Sequence, residues 1–267
     1  MTLLARLERF DRVGSTNDVV RGWLAEATPE VCLAVAGEQT AGRGRDGRSW
    51  IAPAGGALLL SLGFRPTWLE PDAAWRLAAV VSLAMADAAE ATAGLAAGMV
   101  RLKWPNDLVI DALGRQRKLA GVLGETDGLG SADPRVVVGL GINTDWAAAD
   151  FPAPLAASMT SLREAAAGRP IDDAELLDSF IASLEARLDA LRGGRFDARG
   201  WVDRQITTGR TVRIEHPDRA ETVRATGVDP ATGALLVADD AAPGGERQVL
   251  VGEITHVRVA DPVAEVV

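Results

Sequence analysis

Apolar positions recur along the chain with two periods, and the switches between them mark out the elements. Residues 3–13 read as a strand, and residues 31–38, apolar almost throughout, read as a strand buried on both faces. Between them Ser15 stands where a helix N-cap belongs, which predicts a helix over about 17–27. Residues 39–56 fit neither period: they hold five glycines, a proline and three arginines, so a long mobile loop is expected. A strand returns over 57–64, residues 71–92 have the length and Ala/Leu content of a helix, and 100–103 begin another strand. Residues 108–110 and 118–125 flank a turn-rich hinge at 111–117 and predict a hairpin, and 135–142 forms the last strand of this part.

Further on, Asp172 followed by Glu175 resembles a capping pair, and it opens the clearest helix of the chain. Leu177, Ile181, Leu184, Leu188 and Leu191 make its apolar stripe, and Gly193-Gly194 ends it. After about Gln205 the texture changes. Short β-type runs at 211–214, 222–228, 234–238 and 247–251 alternate with turn signals such as Asp229-Pro230 and Pro243-Gly244-Gly245. A separate small β-barrel over 205–267 is predicted, after a larger domain over 1–204.

A chain of 267 residues with 48% hydrophobic and 24% charged residues can bury a sizeable core, which excludes wholesale disorder. Its 28 basic and 37 acidic residues leave a net charge of −9, which argues against a duplex-binding surface built on phosphate neutralisation. One cysteine, Cys32, permits no internal disulfide and no thiolate metal cluster, and its apolar setting makes it a buried spectator. No apolar run approaches the ~20 residues of a membrane span, and residues 1–12 lack the features of a signal peptide. A cytoplasmic protein is expected.

Scarcity changes the picture more than abundance. Lysine occurs only as Lys103 and Lys118, so wherever positive charge alone is needed the chain uses arginine; a compact ammonium is wanted at these two places. Asparagine occurs only as Asn17, Asn106 and Asn143, each inside a short signature: Ser15-Thr16-Asn17, Lys103-Trp104-Pro105-Asn106-Asp107 and Gly139-Leu140-Gly141-Ile142-Asn143. The stretch Gly42-Arg43-Gly44-Arg45-Asp46-Gly47-Arg48 sets three guanidinium groups on a backbone free to fold over an anion. It is neither a Walker loop nor a dinucleotide fingerprint. Alone it would pass for a solvated surface loop or an RNA-binding stretch. Proline in the Lys103 motif halts pairing and turns Asn106 and Asp107 outward, although as a dipeptide these two also read as a plain turn with Trp104 in the core. Lys118-Leu119-Ala120-Gly121 puts the second lysine beside small residues, and Asn143 offers an amide to a base edge.

In order and spacing these segments, with the loop running from Gln39 to Ser49-Trp50, resemble the motifs of biotin protein ligases. The likeness covers about residue 8 to the end, where Gly252-Glu253-Ile254 resembles part of that family's C-terminal domain. It implies an α+β fold: a mixed β-sheet with packed helices, as in class II synthetase-like catalytic domains, followed by an SH3-like β-barrel. The DNA-binding extension of some members is not expected, so the resemblance implies a monofunctional enzyme with no DNA or membrane partner, a monomer or weak homodimer. Two departures stand out. Gly56-Ala57-Leu58 occupies a place where many members have asparagine, and no adenine-stacking aromatic is assigned near Met159.

The resemblance further implies that biotin and ATP, with Mg²⁺, give biotinyl-5′-adenylate, and that the acyl group passes to one lysine of a biotin carboxyl carrier protein or domain. Ser15, Thr16 and Gln39 would hydrogen-bond the ureido ring, Asn17 would belong to the same biotin site, and Trp50 would cover the valeryl chain. Arg43, Gly44, Arg45, Gly121 and Gly141 would complete the biotin site. Lys118 would bridge carboxylate and α-phosphate, while Arg43 and Arg45 close over the adenylate and exclude water. Arg45, Arg48, Lys103, Asn106, Lys118 and Asn143 would hold the nucleotide, and Asp107 either Mg²⁺ or the incoming lysine. A lipoate ligase is the nearest rival, opposed by Gln39 and the Ser-Thr-Asn turn, because its substrate needs an apolar pocket. An arginine-loop RNA-binding module is opposed by the overall acidity and the lack of aromatics within the loop.

Overall fold

A computed structural model of the chain describes residues 3–112, 115–254 and 256–259. The residues divide into two compact units, one of Met1–Arg101 with Asp107–Asp197, the other of Leu102–Asn106 with Ala198–Val267.

The first unit is built on a mixed sheet of β1 (Arg6–Val13), β2 (Cys32–Gln39), β3 (Ala57–Phe64), β4 (Val100–Lys103), β5 (Asp107–Ala112), β6 (Arg115–Asp127) and β7 (Arg135–Asn143). The spatial order is β1-β2-β3-β7-β6-β5-β4. β1 runs parallel to β2, which demands a crossover, and the crossover is α1 (Thr16–Ala25). The ladders from β2 through β3, β7 and β6 to β5 are all antiparallel. β3 is buried at every residue and β7 at all but Arg135, so the sheet is covered on both faces there. On one face Val20, Trp23 and Leu24 of α1 pack on Cys32, Ala34 and Val137. Cys32 is a free, buried thiol, as its apolar setting predicts. α2 (Trp75–Ala93) packs against α5 (Asp173–Arg192), with the short helices α3 (Ala153–Ala156) and α4 (Leu162–Ala165) preceding α5 in the chain.

The Asp172 carboxylate accepts from the backbone N–H groups of Ala174 and Glu175 at 2.8 and 3.3 Å, so the predicted cap of α5 is formed. The stripe differs from its prediction: Leu176, Leu177, Phe180, Leu184, Leu188 and Leu191 are buried, and Ile181 is only partly so. A helix packed on another element buries a face wider than a single i, i+4 row, and Phe180 and Leu176 widen it. The hinge predicted at 111–117 is also shorter, because the β5–β6 ladder continues through Asp111↔Gln116 to Ala112↔Arg115. Two residues of that prediction, 113 and 114, lie outside the described residues.

The second unit holds α6 (Ala198–Asp203) and an antiparallel sheet of β8 (Thr211–Glu215), β9 (Ala220–Val228), β10 (Leu235–Ala238), β11 (Glu246–Val249) and β12 (His256–Val259), in the order β11-β10-β9-β8-β12. The sequence pattern predicts a barrel. Among the described residues β11 pairs with β10 and β12 with β8, and no ladder joins β11 to β12; β12 carries too short an apolar pattern to be predicted. Val212, Ile214, Ala225, Leu235, Val237 and Val249 form the core of this unit. Trp104 anchors the 102–106 segment in it, the indole N–H donating to the Gly233 carbonyl at 2.9 Å and the backbone N–H to Thr207 Oγ1 at 3.1 Å. Among the described residues no helix is long and apolar enough to cross a membrane.

Candidate active site

Residues paired across an antiparallel ladder point to the same face, so register determines which side chains meet. One row across the first unit's sheet reads Asp107, Gly121, Gly141, Leu59; the next reads Leu123, Gly139, Ser61, Ala34. Simple alternation would put Lys118 on the opposite face from Gly121. It does not, because the β5–β6 register shifts: Val109 pairs with Lys118 and Leu108 with Ala120, leaving Leu119 as an extra residue. Such a bulge re-aims side chains. The Lys118 ammonium thereby lies on the Asp107–Gly121 row, 2.6 Å from Asp107 Oδ1.

The glycines of these rows make room for other groups. A Cβ at Gly141 would fall 2.6 Å from the Trp50 indole, and one at Gly121 would fall 3.1 Å from both the indole and Lys118 Nζ. Trp50 therefore lies over a floor of two opposed glycines, 5.4 Å from Lys118 Nζ. At Gly139 the space of the missing side chain is taken by the Asn17 carboxamide. The backbone of Lys118 is clamped as well, its N–H donating to the Ser158 carbonyl at 2.7 Å and its carbonyl accepting from Thr160 N–H at 2.9 Å.

Trp50 is delivered by residues 42–50, which fold into a small ordered hairpin where the composition predicts a mobile loop. Trp50 N–H donates to the Gly42 carbonyl at 2.9 Å, Gly44 N–H to the Arg48 carbonyl at 2.6 Å, and Arg43 bridges Ser49. A 3₁₀ turn over Arg45–Gly47 closes it, with Asp46 left-handed at φ 55°, a conformation aspartate tolerates. The three arginines then part company. Arg43 makes a two-pronged contact with Asp18 at 2.7 and 2.8 Å and reaches Glu125 at 3.4 Å. That pairing holds the Asp18 carboxyl below its usual range. The Arg45 side chain is 12% exposed, and burial pulls its guanidinium below the usual arginine range. Arg48 points outward, half exposed, its Nε on the Arg45 carbonyl at 3.0 Å.

Polar groups converge at the start of α1. Ser15 is buried at the N-cap position, yet its side chain makes no capping bond. Gln39 does that job from the end of β2: its Oε1 accepts from Thr16 N–H at 2.7 Å and lies 3.0 Å from Thr16 Oγ1. Ser61 Oγ, fully buried, is 2.6 Å from both Thr16 Oγ1 and Asn17 Oδ1. Asn17 Nδ2 donates to Glu125 at 2.6 Å, and Arg21 reaches the same carboxylate at 2.9 Å. A wall of amide and hydroxyl groups thus stands beside a glycine floor, with a single ammonium at its far end.

A scan against family models matches residues 9–143 to the biotin/lipoate A/B protein ligase family. The chain belongs to that family. It is 31% identical to the biotin–[acetyl-CoA-carboxylase] ligase of Mycobacterium tuberculosis over 257 residues, 95% of this chain and 90% of that one. It is also 40% identical over 134 residues to the bifunctional ligase/repressor BirA of Escherichia coli, 49% of this chain and 38% of that protein. Among solved structures, the biotin protein ligase from Aquifex aeolicus in complex with biotin and ATP superposes with a TM-score of 0.78 at 25% identity, covering 96% of this chain and 99% of that one.

The face gathers Thr16, Asn17, Gln39, Trp50, Lys118, Gly121, Gly141 and Asp107. Lys103 ends β4, the sheet neighbour of β5 whose first residue is Asp107, and Asn106 follows the cis Trp104–Pro105 peptide just before it. Asn143 is wholly buried, its Nδ2 donating to the Thr160 carbonyl at 2.9 Å on the segment that clamps Lys118. Asp107 is engaged by Lys118, and among the described residues no cluster of three His, Cys, Asp or Glu side chains fits a metal ion. Ser61 and Glu125 escaped the sequence reading. Ser61 was legible as the one polar residue in the apolar run 57–64, whereas Glu125, followed by Thr126-Asp127, looks like an ordinary solvated strand end.

Proposed function

We infer that this protein is a biotin protein ligase. It joins biotin to ATP, forming biotinyl-5′-AMP with release of pyrophosphate, and then transfers the biotinyl group to a lysine of a biotin carboxyl carrier domain. The observation that carries this reading is the face itself: a flat glycine floor under an indole, polar groups at one end and Lys118 at the other, in a chain of this family.

The first step brings two anions together. A biotin carboxylate oxygen attacks the α-phosphorus, and the bond to the β-phosphate bridging oxygen breaks. Lys118 reduces the repulsion with a compact charge, having left Asp107 for the reacting oxygens. The ureido ring takes the Thr16–Gln39 end, where unpaired buried groups would otherwise cost ~1–3 kcal/mol each. The valeryl chain takes the glycine floor with Trp50 lifted onto it. Arg45 covers the mixed anhydride against water. In the second step the carrier lysine's neutral amine attacks the acyl carbon, AMP leaves with the C–O electron pair, and the amine loses a proton. Mg²⁺ enters as part of the MgATP substrate, held by its phosphates.

Thermal melting with biotin and ATP tests the reading. Ligands bound by the native state alone stabilise it by about 2.7 kcal/mol at one hundred times Kd. Biotin plus MgATP should raise the Tm and release pyrophosphate, whereas lipoate should do neither. A shift with lipoate and none with biotin would transfer the chain to the other branch of its family.

A further inference from the structure

Proton counting in the wall beside α1 assigns a task to Glu125. Thr16 and Ser61 bring one hydroxyl proton each, but three oxygen–oxygen contacts compete for them: Thr16 Oγ1 to Gln39 Oε1 at 3.0 Å, Thr16 Oγ1 to Ser61 Oγ at 2.6 Å, and Ser61 Oγ to Asn17 Oδ1 at 2.6 Å. Neither amide can turn to help. Gln39 Oε1 already takes the Thr16 backbone N–H, and Asn17 Nδ2 is drawn to Glu125 at 2.6 Å, which leaves Oδ1 facing Ser61. Asn17 Oδ1 can only accept, so the Ser61 proton goes there. The other 2.6 Å contact must then take the Thr16 proton, since two bare oxygens that close repel strongly. A one-way chain results: Thr16 to Ser61 to Asn17 to the Glu125 carboxylate. Its downhill end is an anion, and each bond polarises the next.

The longest contact is left without a proton. Thr16 Oγ1 and Gln39 Oε1 face each other with lone pairs only, 3.0 Å apart. An N–H placed between them would satisfy both. We propose that Glu125 is a positioning residue for substrate recognition: by fixing the direction of this chain it makes Thr16 and Gln39 a paired acceptor for one ureido N–H of biotin. The proposal rests on the biotin reading above. Without the carboxylate, Asn17 can turn its Nδ2 toward Ser61; the chain then runs Asn17 to Ser61 to Thr16 to Gln39, every contact holds a proton, and the paired acceptor is gone. Glu125 also touches Arg21 and Arg43 at 2.9 and 3.4 Å, so the test must separate direction from charge.

Glutamine at 125 keeps an oxygen for Asn17 Nδ2 and loses the charge, whereas alanine loses both. Pyrophosphate release at varied biotin and varied ATP should show Glu125→Ala raising the biotin KM about ten-fold, the worth of one hydrogen bond to an otherwise unmatched group, with ATP KM and kcat within about two-fold. Glu125→Gln should restore most of the loss. Ser61→Ala breaks the chain at its middle and frees the Thr16 proton for Gln39, so it should raise the biotin KM similarly, and the double variant should be no worse than the worse single one. Ser61→Ala also carries the test if Glu125→Ala fails to fold. Glutamine as damaging as alanine would assign Glu125 to the arginines instead. Additive effects, or an unchanged biotin KM in Ser61→Ala, would overturn the proposal. A parent enzyme that releases no pyrophosphate with biotin would overturn the function itself, a result no variant can imitate.

Discussion

At the scale of single residues, Lys118 shows how much of the site depends on one side chain's shape. Its Nζ lies 2.6 Å from Asp107, and a Cβ at Gly121 would be 3.1 Å from it, so the space is cut to an ammonium. A planar guanidinium fork keeps the charge and misplaces it. Lys118→Arg should lower the rate of adenylation at least ten-fold, because one preorganised donor at a developing charge contributes ~2.7–4 kcal/mol. Biotin-dependent pyrophosphate release at saturating substrates measures it, and a rate equal to the parent's would remove Lys118 from the chemistry. Scarcity made this residue legible. The same argument singles out Lys103, at the end of β4 beside the strand that Asp107 begins. Ser61 and Glu125 carry no such mark: their roles depend on partners 45 and 108 residues away, which only the sheet register brings near.

At the scale of elements, the hairpin of residues 42–50 carries two of the proposed site residues on one short segment. Its stem delivers Trp50 to the glycine floor, and its turn holds Arg45, which is 12% exposed and beside Asp46 at 3.7 Å. If Arg45 retains the adenylate, Arg45→Gly should leave the first step partly active while the intermediate escapes. A free acyl adenylate acylates any amine it meets, so the variant should label an unrelated lysine-rich protein and the parent should not. Blotting for biotin after incubation with biotin and MgATP decides it; equal and negligible labelling by a variant still active in adenylation would refute retention by Arg45. Strands such as 57–64 and 100–103 were readable to the residue, because apolar runs and a proline bound them. The hairpin was not, since glycine and arginine have no period and its order comes from backbone bonds such as Gly44 to Arg48. Neither was the bulge at Leu119, since alternation in sequence carries no information about the partner strand.

At the scale of the whole molecule, the order of elements was legible because buried strands, amphipathic helices and the short C-terminal β-runs each have their own period. Stability is likewise a global property, and Asp173 shows opposing local rules deciding it. At the first position of α5 the helix dipole favours a carboxylate by ~0.3–1 kcal/mol, so Asp173→Asn should destabilise on that ground. Burial opposes it and pushes the carboxyl up, with Asp145 and Asp172 adding repulsion and the Thr144 hydroxyl pulling the other way. Burial should win, because Asp172 already serves the same helix end through Ala174 and Glu175. A carboxyl whose pKa rises on folding contributes its full stabilisation below the unfolded value of 3.8, and that contribution is lost as pH rises through the higher folded value. Asparagine does not titrate, so Asp173→Asn should melt at a higher temperature than the parent at pH 7, and the gap should shrink as the pH falls toward 4. Melting curves of both proteins across that range measure the gap. A parent that outlasts the variant at neutral pH would show that the dipole, acting through Asp173 as well as Asp172, outweighs the cost of burying the charge.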